Sequence, residues 1–154
     1  MYTSLSLPKT QLNIIIDECG RKKVWDNLRR KYVILTPEEY VRQSFTFWMI
    51  NYRGYPSSLM VNEIGIDLNG TKKRCDTVVF RPNGHPLMII EYKAPNIDIT
   101  QVVFDQIVRY NMVLKAPFLA VSNGIKHFCC KIDYSANTYH FLPELPDYKL
   151  MKFI

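Results

Sequence analysis

The sequence predicts one α/β domain with a mixed central sheet, in the order helix, three strands, helix, strand (αβββαβ), with β-hairpins added at both ends. Three observations lead to this prediction. Asn-Gly pairs lie between extended apolar runs, which is the strongest short-range signal for a β-hairpin. Two apolar stripes with helical spacing each follow a threonine suited to cap a helix. The strands between them carry apolar residues on both faces, as in sheets covered by helices on both sides.

The composition is that of a globular protein. The chain has 154 residues, 47% hydrophobic and 22% charged, and this length is typical of a single domain with its own core. We expect one domain over residues 1–154, with its core at about 36–133. A β-rich addition is expected at about 11–35 and an irregular tail at about 143–154.

The first helix has a clear start. Thr36 is the expected N-cap, Pro37 takes the first helical position and Glu39 the third, which together form a capping box. Gly54 and Pro56 end the helix. Its inward stripe is predicted to be Val41, Phe45, Trp48, Met49 and Tyr52. For Glu38, Glu39 and Arg42 we expect a solvated, capping role, with an approach to the functional face of the sheet as the alternative.

The second helix is predicted over residues 101–115, with Thr100 as its N-cap. A crossover helix of this kind leads to a parallel strand, and Phe118–Ser122 fits that strand. A hairpin at Asn123-Gly124 and an edge strand at 138–142 would complete the sheet. The expected inward stripe of the helix is Val103, Ile107, Tyr110 and Leu114.

The two hairpin turns fix how three carboxylates are aligned. Paired residues in an antiparallel hairpin keep a constant sum of residue numbers, so the turn at Asn69-Gly70 places Glu63 opposite Asp76. The turn at Asn83-Gly84 places Asp76 opposite Glu91. Opposed side chains lie only ~4.5–5.5 Å apart at their Cβ atoms, and like charges there repel. A row of three acids has no role in folding, but it suits a divalent metal ion.

The side chains on each strand alternate between faces. Lys93 therefore shares a face with Glu91. On the same face we expect an apolar set formed by Val78, Phe80, Leu87 and Ile89. The opposite face is expected to carry Ile64, Ile66 and Leu68.

Asp76 followed by Glu91-Tyr92-Lys93 resembles the D-(x)n-(D/E)xK signature of the PD-(D/E)xK nuclease superfamily. Within that superfamily, the chain is most similar to the N-terminal nuclease domain of type I restriction enzyme R subunits. The similarity is carried by residues 73–79, 90–95 and 106–111, the last containing a QxxxY motif. It extends over about residues 29–133. Cys75 stands where the signature usually has proline.

The resemblance implies a restriction-endonuclease-like fold and a metal-dependent endonuclease that acts on DNA. Asp76 and Glu91 would hold Mg²⁺ or Mn²⁺ with the backbone carbonyl of Tyr92, and Lys93 would orient or help to deprotonate the attacking water. The supporting residues implied are Glu63 (a possible further metal ligand), Gln106, Tyr110 and Arg74.

Several alternatives remain open from the residues alone. Asp76, Glu91 and Lys93 could form a structural ion-pair cluster, Glu63 could pair with Arg74 or a lysine, and Gln106 and Tyr110 could be an ordinary polar helix face. At the level of the whole protein, the alternative is a nucleic-acid-binding or interaction module of the same fold with weak or no catalysis. A preference for RNA or for branched DNA is equally compatible with the sequence.

Charge and motifs bear on partners and location. The net charge is +6, and the cluster Lys72-Lys73-Arg74 just before Asp76 is expected to contact DNA phosphates. No apolar run is long enough to span a bilayer, no signal peptide is evident, and the four cysteines lack metal or disulfide spacing. We therefore expect a cytoplasmic protein. It has no nucleotide-binding GxxxxGK motif, so motor or specificity subunits, or a homodimer, are expected partners.

Overall fold

The computed structural model describes residues 3–153, apart from the side chain of Leu68. Its two α-helices are α1 (Pro37–Tyr52) and α2 (Gln101–Asn111). Its strands, in chain order, are β1 (Ile14–Ile16), β2 (Lys22–Asp26), β3 (Lys31–Ile34), β4 (Met60–Leu68), β5 (Thr71–Phe80), β6 (Pro86–Tyr92), β7 (Phe118–Ser122), β8 (His127–Asp133) and β9 (Thr138–Phe141).

The strands form two sheets. The first three make a small antiparallel sheet in the order β1-β2-β3, which confirms the predicted β-rich addition at the N-terminal end. The other six form a sheet in the order β4-β5-β6-β7-β8-β9. Only β6 and β7 pair in parallel within this sheet. The αβββαβ core and the mixed sheet were therefore predicted correctly.

The β4–β5 hairpin has the register that its turn predicts. Asn69 and Gly70 both have positive φ (51° and 80°), the conformation that a two-residue hairpin turn requires. Asn62 pairs with Thr77, and Ile64 pairs with Cys75. Glu63 and Asp76 lie between these two pairs and are therefore opposite each other in the chain register.

Glu63 itself departs from strand geometry, with a φ of 54°. A left-handed residue interrupts the pleat, so the side chains beyond it need not keep the regular alternation. Ile64 and Ile66, together with Cys75 opposite Ile64 on β5, pack in the same cluster as Val78 and Ile89. The prediction that these isoleucines face away from the acid face was wrong for this reason.

Leu87 was also assigned to the wrong face. It packs with Met88 in the cluster on the α1 side instead of with Ile89. The β5–β6 register shifts between Val79 and Phe80, and such a bulge re-aims the side chains on the strand near it.

Helix α1 covers one side of the large sheet. Thr36 caps it as predicted, its Oγ1 accepting a hydrogen bond from the amide of Glu39 at 3.1 Å. Val41, Phe45 and Met49 are buried. Tyr52, which we expected in the inward stripe, is exposed and lies against the ring of Phe47.

Helix α2 covers the other side, and its buried face is rotated by one residue from the predicted stripe, although Leu114, in the 3-10 turn that follows the helix, is buried as predicted. The buried residues are Phe104, Val108 and Asn111, whereas Tyr110 is 45% exposed. Apolar residues are adjacent in this helix (Val102-Val103-Phe104 and Ile107-Val108), so two stripes were compatible with its sequence. The packing of Phe104 against Phe128 and Tyr139 selects between them.

The C-terminal tail is more ordered than predicted. A 3-10 helix spans Tyr148–Phe153, and Leu145 and Met151 are buried in the α1-side cluster. The hydroxyl of Tyr55 donates a hydrogen bond to the carbonyl of Pro146 at 2.8 Å. Within residues 3–153, neither α-helix is long and apolar enough to cross a membrane.

Candidate active site

Asp76 and Glu91 meet where strands β5 and β6 leave their ladder. The last pair in the ladder is Thr77 with Ile90. Asp76 on β5 and Glu91 on β6 occupy the next position beyond this pair. The Oδ2 atom of Asp76 accepts a hydrogen bond from the backbone amide of Tyr92 at 2.9 Å. This bond holds the Asp76 carboxylate beside Glu91, across the end of β6.

The Glu91 carboxylate is in an environment that opposes its charge. Burial raises its pKa, and the neighbouring Asp76 raises it further. The side chains of Asn111 and Lys93 act in the opposite direction. The Oε1 atom of Glu91 is buried and has no hydrogen-bond partner among the described residues. Such an oxygen is costly to bury unless a cation or a proton binds to it.

Lys93 is the next residue on the same face after Glu91, and neighbouring strand β7 fixes its position. Its backbone amide donates a hydrogen bond to the carbonyl of Ser122 at 2.9 Å. Tyr92 and Ser122 are partners in the parallel β6–β7 ladder. The backbone that carries Glu91 and Lys93 is therefore held on both sides, by β5 through Asp76 and by β7 through Ser122.

Glu63 does not join the two acids as a free carboxylate. Its Oε1 lies 2.5 Å from Nη2 of Arg42, and its Oε2 lies 2.8 Å from Nε of Arg74. Burial opposes the ionisation of Glu63, but these two arginines outweigh it and lower the pKa. Glu63 therefore pairs with Arg74, which was one of the alternatives that the sequence left open. Because both oxygens are engaged, Glu63 could bind a metal ion only if one of these ion pairs opened, and its role as a metal ligand stays a prediction.

Arg42 is a site residue that the sequence reasoning placed in solvent. It is only 6% exposed. Its guanidinium contacts Glu63, lies 2.9 Å from Oε2 of Glu39, and donates a 3.4 Å hydrogen bond to the carbonyl of Asp76. The expectation that Glu39 and Arg42 are solvated was wrong. Their three-residue spacing on one helix face was the available signal, since such pairs are neighbours.

The ionic contacts continue from α1 to the small sheet. Arg29 forms ion pairs with both Glu39 and Asp26. Asp26 is buried and also accepts a 3.0 Å hydrogen bond from Asn62. Burial opposes the ionisation of Asp26, yet the hydrogen bonds from Asn62 and Arg29 give it a net lowered pKa. A continuous polar network therefore joins the first sheet to strand β4.

A second branch of the network reaches the strands of the site. Thr77 donates a 2.6 Å hydrogen bond to Oδ1 of Asn62, and the hydroxyl of Tyr92 donates a 3.0 Å hydrogen bond to Thr77. Thr77 and Tyr92 directly follow Asp76 and Glu91. The network thus supports the backbone of both acids from the face opposite their carboxylates.

The residues expected to assist the site lie mainly at the surface. Gln106 is exposed. Tyr110 contacts the basic cluster, because the Nζ atom of Lys73 lies 3.6 Å from the centre of its ring. Lys72 is exposed, and the Arg74 side chain is 71% exposed while paired with Glu63. The supporting roles of these residues stay predictions.

Asn111 was not predicted as a site residue. It is buried on α2, its amide donates a hydrogen bond to the carbonyl of Ile107 at 2.9 Å, and it lowers the pKa of Glu91. It continues the helical spacing of Phe104 and Val108. Asn111 is the polar residue in an otherwise apolar stripe, and this signal would have identified it if the sequence had indicated the correct stripe.

The donor set fits Mg²⁺ or Mn²⁺ better than a metal that needs a full protein cage. Among residues 3–153, no group of three or more His, Cys, Asp or Glu side chains is close enough to hold a metal ion. Magnesium is commonly held by one or two carboxylates, with waters and substrate phosphates as its other ligands. Asp76 and Glu91, with the unpartnered Oε1, provide such a pair.

Comparison with known proteins matches the chain to a protein family and to solved structures. Residues 37–146 match the model of the family described as the type I restriction enzyme R protein N terminus. No curated protein matches the chain significantly.

One of the matching solved structures is a fragment of a protein assigned as an HsdR subunit of a type I restriction enzyme from Vibrio vulnificus YJ016. It superimposes with a TM-score of 0.54 at 18% sequence identity, over 77% of this chain. At that identity the likeness shows a shared fold. The aligned region covers only 25% of the other chain.

Proposed function

Because the chain belongs to the family of type I restriction enzyme R protein N termini, we propose that it is a metal-dependent endonuclease domain that hydrolyses phosphodiester bonds in DNA. The observation that carries the proposal is the adjacency of Asp76 and the buried, partly unpartnered carboxylate of Glu91. Two adjacent acids of this kind are stabilised by a proton or by a cation between them, and a divalent cation would allow both to ionise. Lys93 directly follows the end of β6, two residues after Glu91.

Mg²⁺ or Mn²⁺ would be held by Asp76, Glu91 and the backbone carbonyl of Tyr92. Bound there, the ion supplies charge neutralisation at the phosphate and a more acidic water. The protein's own contribution is the fixed geometry. The Tyr92 amide orients the Asp76 carboxylate, and the Arg42 guanidinium holds the Asp76 carbonyl.

Lys93 is the proposed catalytic cation. Its ammonium group would orient the attacking water and stabilise the negative charge that develops on the phosphate. The Ser122 carbonyl holds the Lys93 backbone, so its side chain starts from a rigid strand end. Groups held by strands reach their working geometry with little loss of freedom.

DNA is the proposed substrate and partner. Lys72, Lys73 and Arg74 lie on β5 directly before Asp76 and would contact the phosphate backbone. Because the chain spans a quarter of the length of the matched HsdR chain, we propose that motor or specificity subunits bring it to its sites. The cytoplasm, where DNA is accessible and thiols stay reduced, is the proposed place of action.

The direct test is cleavage of plasmid and linear DNA with Mg²⁺ or Mn²⁺, comparing wild type with Glu91→Gln and Lys93→Met. We expect each substitution to lower the rate by roughly 10²-fold or more. Glu144→Gln is the matched control, because that carboxylate is exposed and lies far along the chain from the site. Cleavage that survives both substitutions would refute the assignment. Metal-independent DNA binding without cleavage would favour the binding-module alternative.

A further inference from the structure

A cavity of about 670 Å³ lies on the side of α1 that faces the small sheet. Its walls come from four parts of the chain: the N-terminal segment at 10–13, the end of β2 with the following turn, one face of α1, and Ser57 after that helix. This volume is in the range of small-molecule sites. Asp76, Glu91 and Lys93 are not among the residues that line this cavity.

The cavity is lined by amides and aromatic rings and by no cation. Five amide side chains line it: Gln11, Asn13, Asn27, Gln43 and Asn51. The rings of Trp25 and Phe47 also line it. Among the described residues at its wall there is no lysine, arginine or histidine, although the chain as a whole carries a net charge of +6. An anion would find no counter-charge there.

The single acid at the wall is already satisfied. Asp26 accepts hydrogen bonds from the backbone amides of Leu28 and Arg29 at 2.7 and 3.1 Å and from Asn62 at 3.0 Å, and it is paired with the Arg29 side chain. Its charge is therefore not available to a ligand. The ligand that fits this cavity is uncharged.

Gln43 supplies an unused hydrogen-bonding group. It lies on α1, is 7% exposed, and its Nε2 atom is buried with no hydrogen-bond partner within residues 3–153. Rotation of the amide by half a turn would exchange donor for acceptor and leave a polar atom unpaired at the same place. Buried polar groups are rarely left unpaired in native structures. A ligand with a hydrogen-bonding edge would satisfy this one.

Trp25 supplies a fixed apolar wall. Its indole Nε1 donates a 2.9 Å hydrogen bond to Oδ1 of Asn27, and its ring packs edge-on against Tyr32 with centroids 5.1 Å apart. The ring is thus held before any ligand enters. A preorganised aromatic face binds a planar ring by stacking.

We infer that this cavity binds a nucleobase, with its edge hydrogen-bonded to Gln43 and its ring against Trp25. A glutamine amide pairs with the donor and acceptor on a base edge, and aromatic side chains stack on bases of any sequence. The base could belong to a free nucleoside or to an unpaired nucleotide within a strand. The inference does not rest on the proposed nuclease activity, since neither metal nor cleavage is involved.

The test is nucleoside titration of the full chain in the absence of divalent metal, with adenosine, guanosine, cytidine and thymidine as probes. The chain has two tryptophans, so its NMR spectrum has two indole N–H signals. We expect the Trp25 signal to shift on binding and the Trp48 signal to stay in place. Single-stranded oligonucleotides that displace the nucleoside would identify a base within a strand as the source. Failure to displace it would identify the free nucleoside.

Gln43→Met removes the amide with little change of volume, and we expect it to weaken nucleoside binding roughly tenfold or more. Asn13→Ala, in the segment outside the helices, is expected to weaken it severalfold while leaving the fold intact. Gln101→Met is the matched control, because Gln101 is exposed on α2 and does not line the cavity. Absence of any nucleoside-induced shift in wild type, or unchanged binding by Gln43→Met, would overturn the inference.

Discussion

Replacing Glu91 by glutamine is expected to stabilise the metal-free protein. The wild-type carboxylate has a buried oxygen without a partner and a second carboxylate beside it. A glutamine amide is uncharged and can donate a hydrogen bond to Asp76. The substitution therefore removes a like-charge contact and introduces an attractive one. A residue retained at such a cost is typical of a functional site.

The size of the effect follows from the hydrogen bond that the glutamine amide donates to the Asp76 carboxylate, a bond that the ionised Glu91 cannot make. Hydrogen bonds to charged groups contribute about 1.5–3 kcal/mol. We expect Glu91→Gln to raise the free energy of unfolding by about 2 kcal/mol, which for a domain of this size raises the melting temperature by roughly 4–8 °C. Glu144→Gln, at an exposed carboxylate, is expected to change the melting temperature very little.

The stability difference between Glu91→Gln and the wild type should depend on pH, and the pKa of Glu91 sets the direction of that dependence. The pKa of Glu91 in the folded protein is raised above its ordinary value of 4.5. Below that ordinary value the group is protonated in both states, and the wild type carries no penalty. As the pH rises, the unfolded state ionises first and is favoured. The extra stability of Glu91→Gln should therefore be absent in acid, appear above pH 4.5, and increase through neutral pH.

The measurement is thermal or urea unfolding of the two proteins with a chelator present, at several values of pH. A Glu91→Gln protein that is less stable than wild type at neutral pH would refute the reasoning. So would an advantage that does not change with pH, because a change of packing alone has no titrating group. Either result would mean that the carboxylate is satisfied in the native protein.

Three further predictions concern the site and its support. Mn²⁺ at a hundredfold excess over its Kd should stabilise the wild type by about 2.7 kcal/mol in a melting experiment, and an unchanged response in Asp76→Asn would exclude Asp76 as a ligand. Arg42→Met should cost about 3–5 kcal/mol in urea unfolding, because it removes a buried arginine partner from both Glu39 and Glu63, whereas Arg74→Met, at a side chain 71% exposed, should cost less than about 1 kcal/mol; similar costs would contradict the burial argument. Asp26→Asn should cost about 2 kcal/mol at neutral pH. Since the pKa of Asp26 is lowered from 3.8, this difference should be full above that value and shrink as the pH falls below it; a difference that persists in acid would contradict the pairing.

The strand register could be predicted because it depends on local chemistry. The Asn69-Gly70 turn needs two positive φ angles, and only a few residue types adopt them readily. The pairing of β4 with β5 follows from that turn alone. The positions of Asp76 and Glu91 could then be worked out without any knowledge of the helices.

The contacts of Glu63 could not be predicted in the same way. Its ion pair with Arg42 joins residues that are distant along the chain, and no local pattern specifies it. The left-handed backbone at Glu63 is equally invisible, since glutamate has no preference for that conformation. The two isoleucines beyond it were placed on the wrong face as a consequence.

The buried face of α2 shows a different limit. Its sequence offers two apolar stripes one residue apart, and helical periodicity does not distinguish between neighbouring stripes. The partner surface decides, here through Phe104 and the rings of β8 and β9. With this packing Tyr110 is exposed at the surface, and Asn111 is buried beside Glu91.

The left-handed backbone of Glu63 also affects the stage of folding at which the candidate site forms. Hairpins form early in folding because their contacts are local, so Asp76 and its neighbours reach their register before the domain is complete. The backbone of Glu63 costs about 1–2 kcal/mol in that hairpin, and an arginine from α1 offsets the cost only after the helix has docked. We therefore expect a nascent or partly unfolded chain to contain the paired strands but not the aligned acids. Such a chain would lack the proposed active site until α1 has docked.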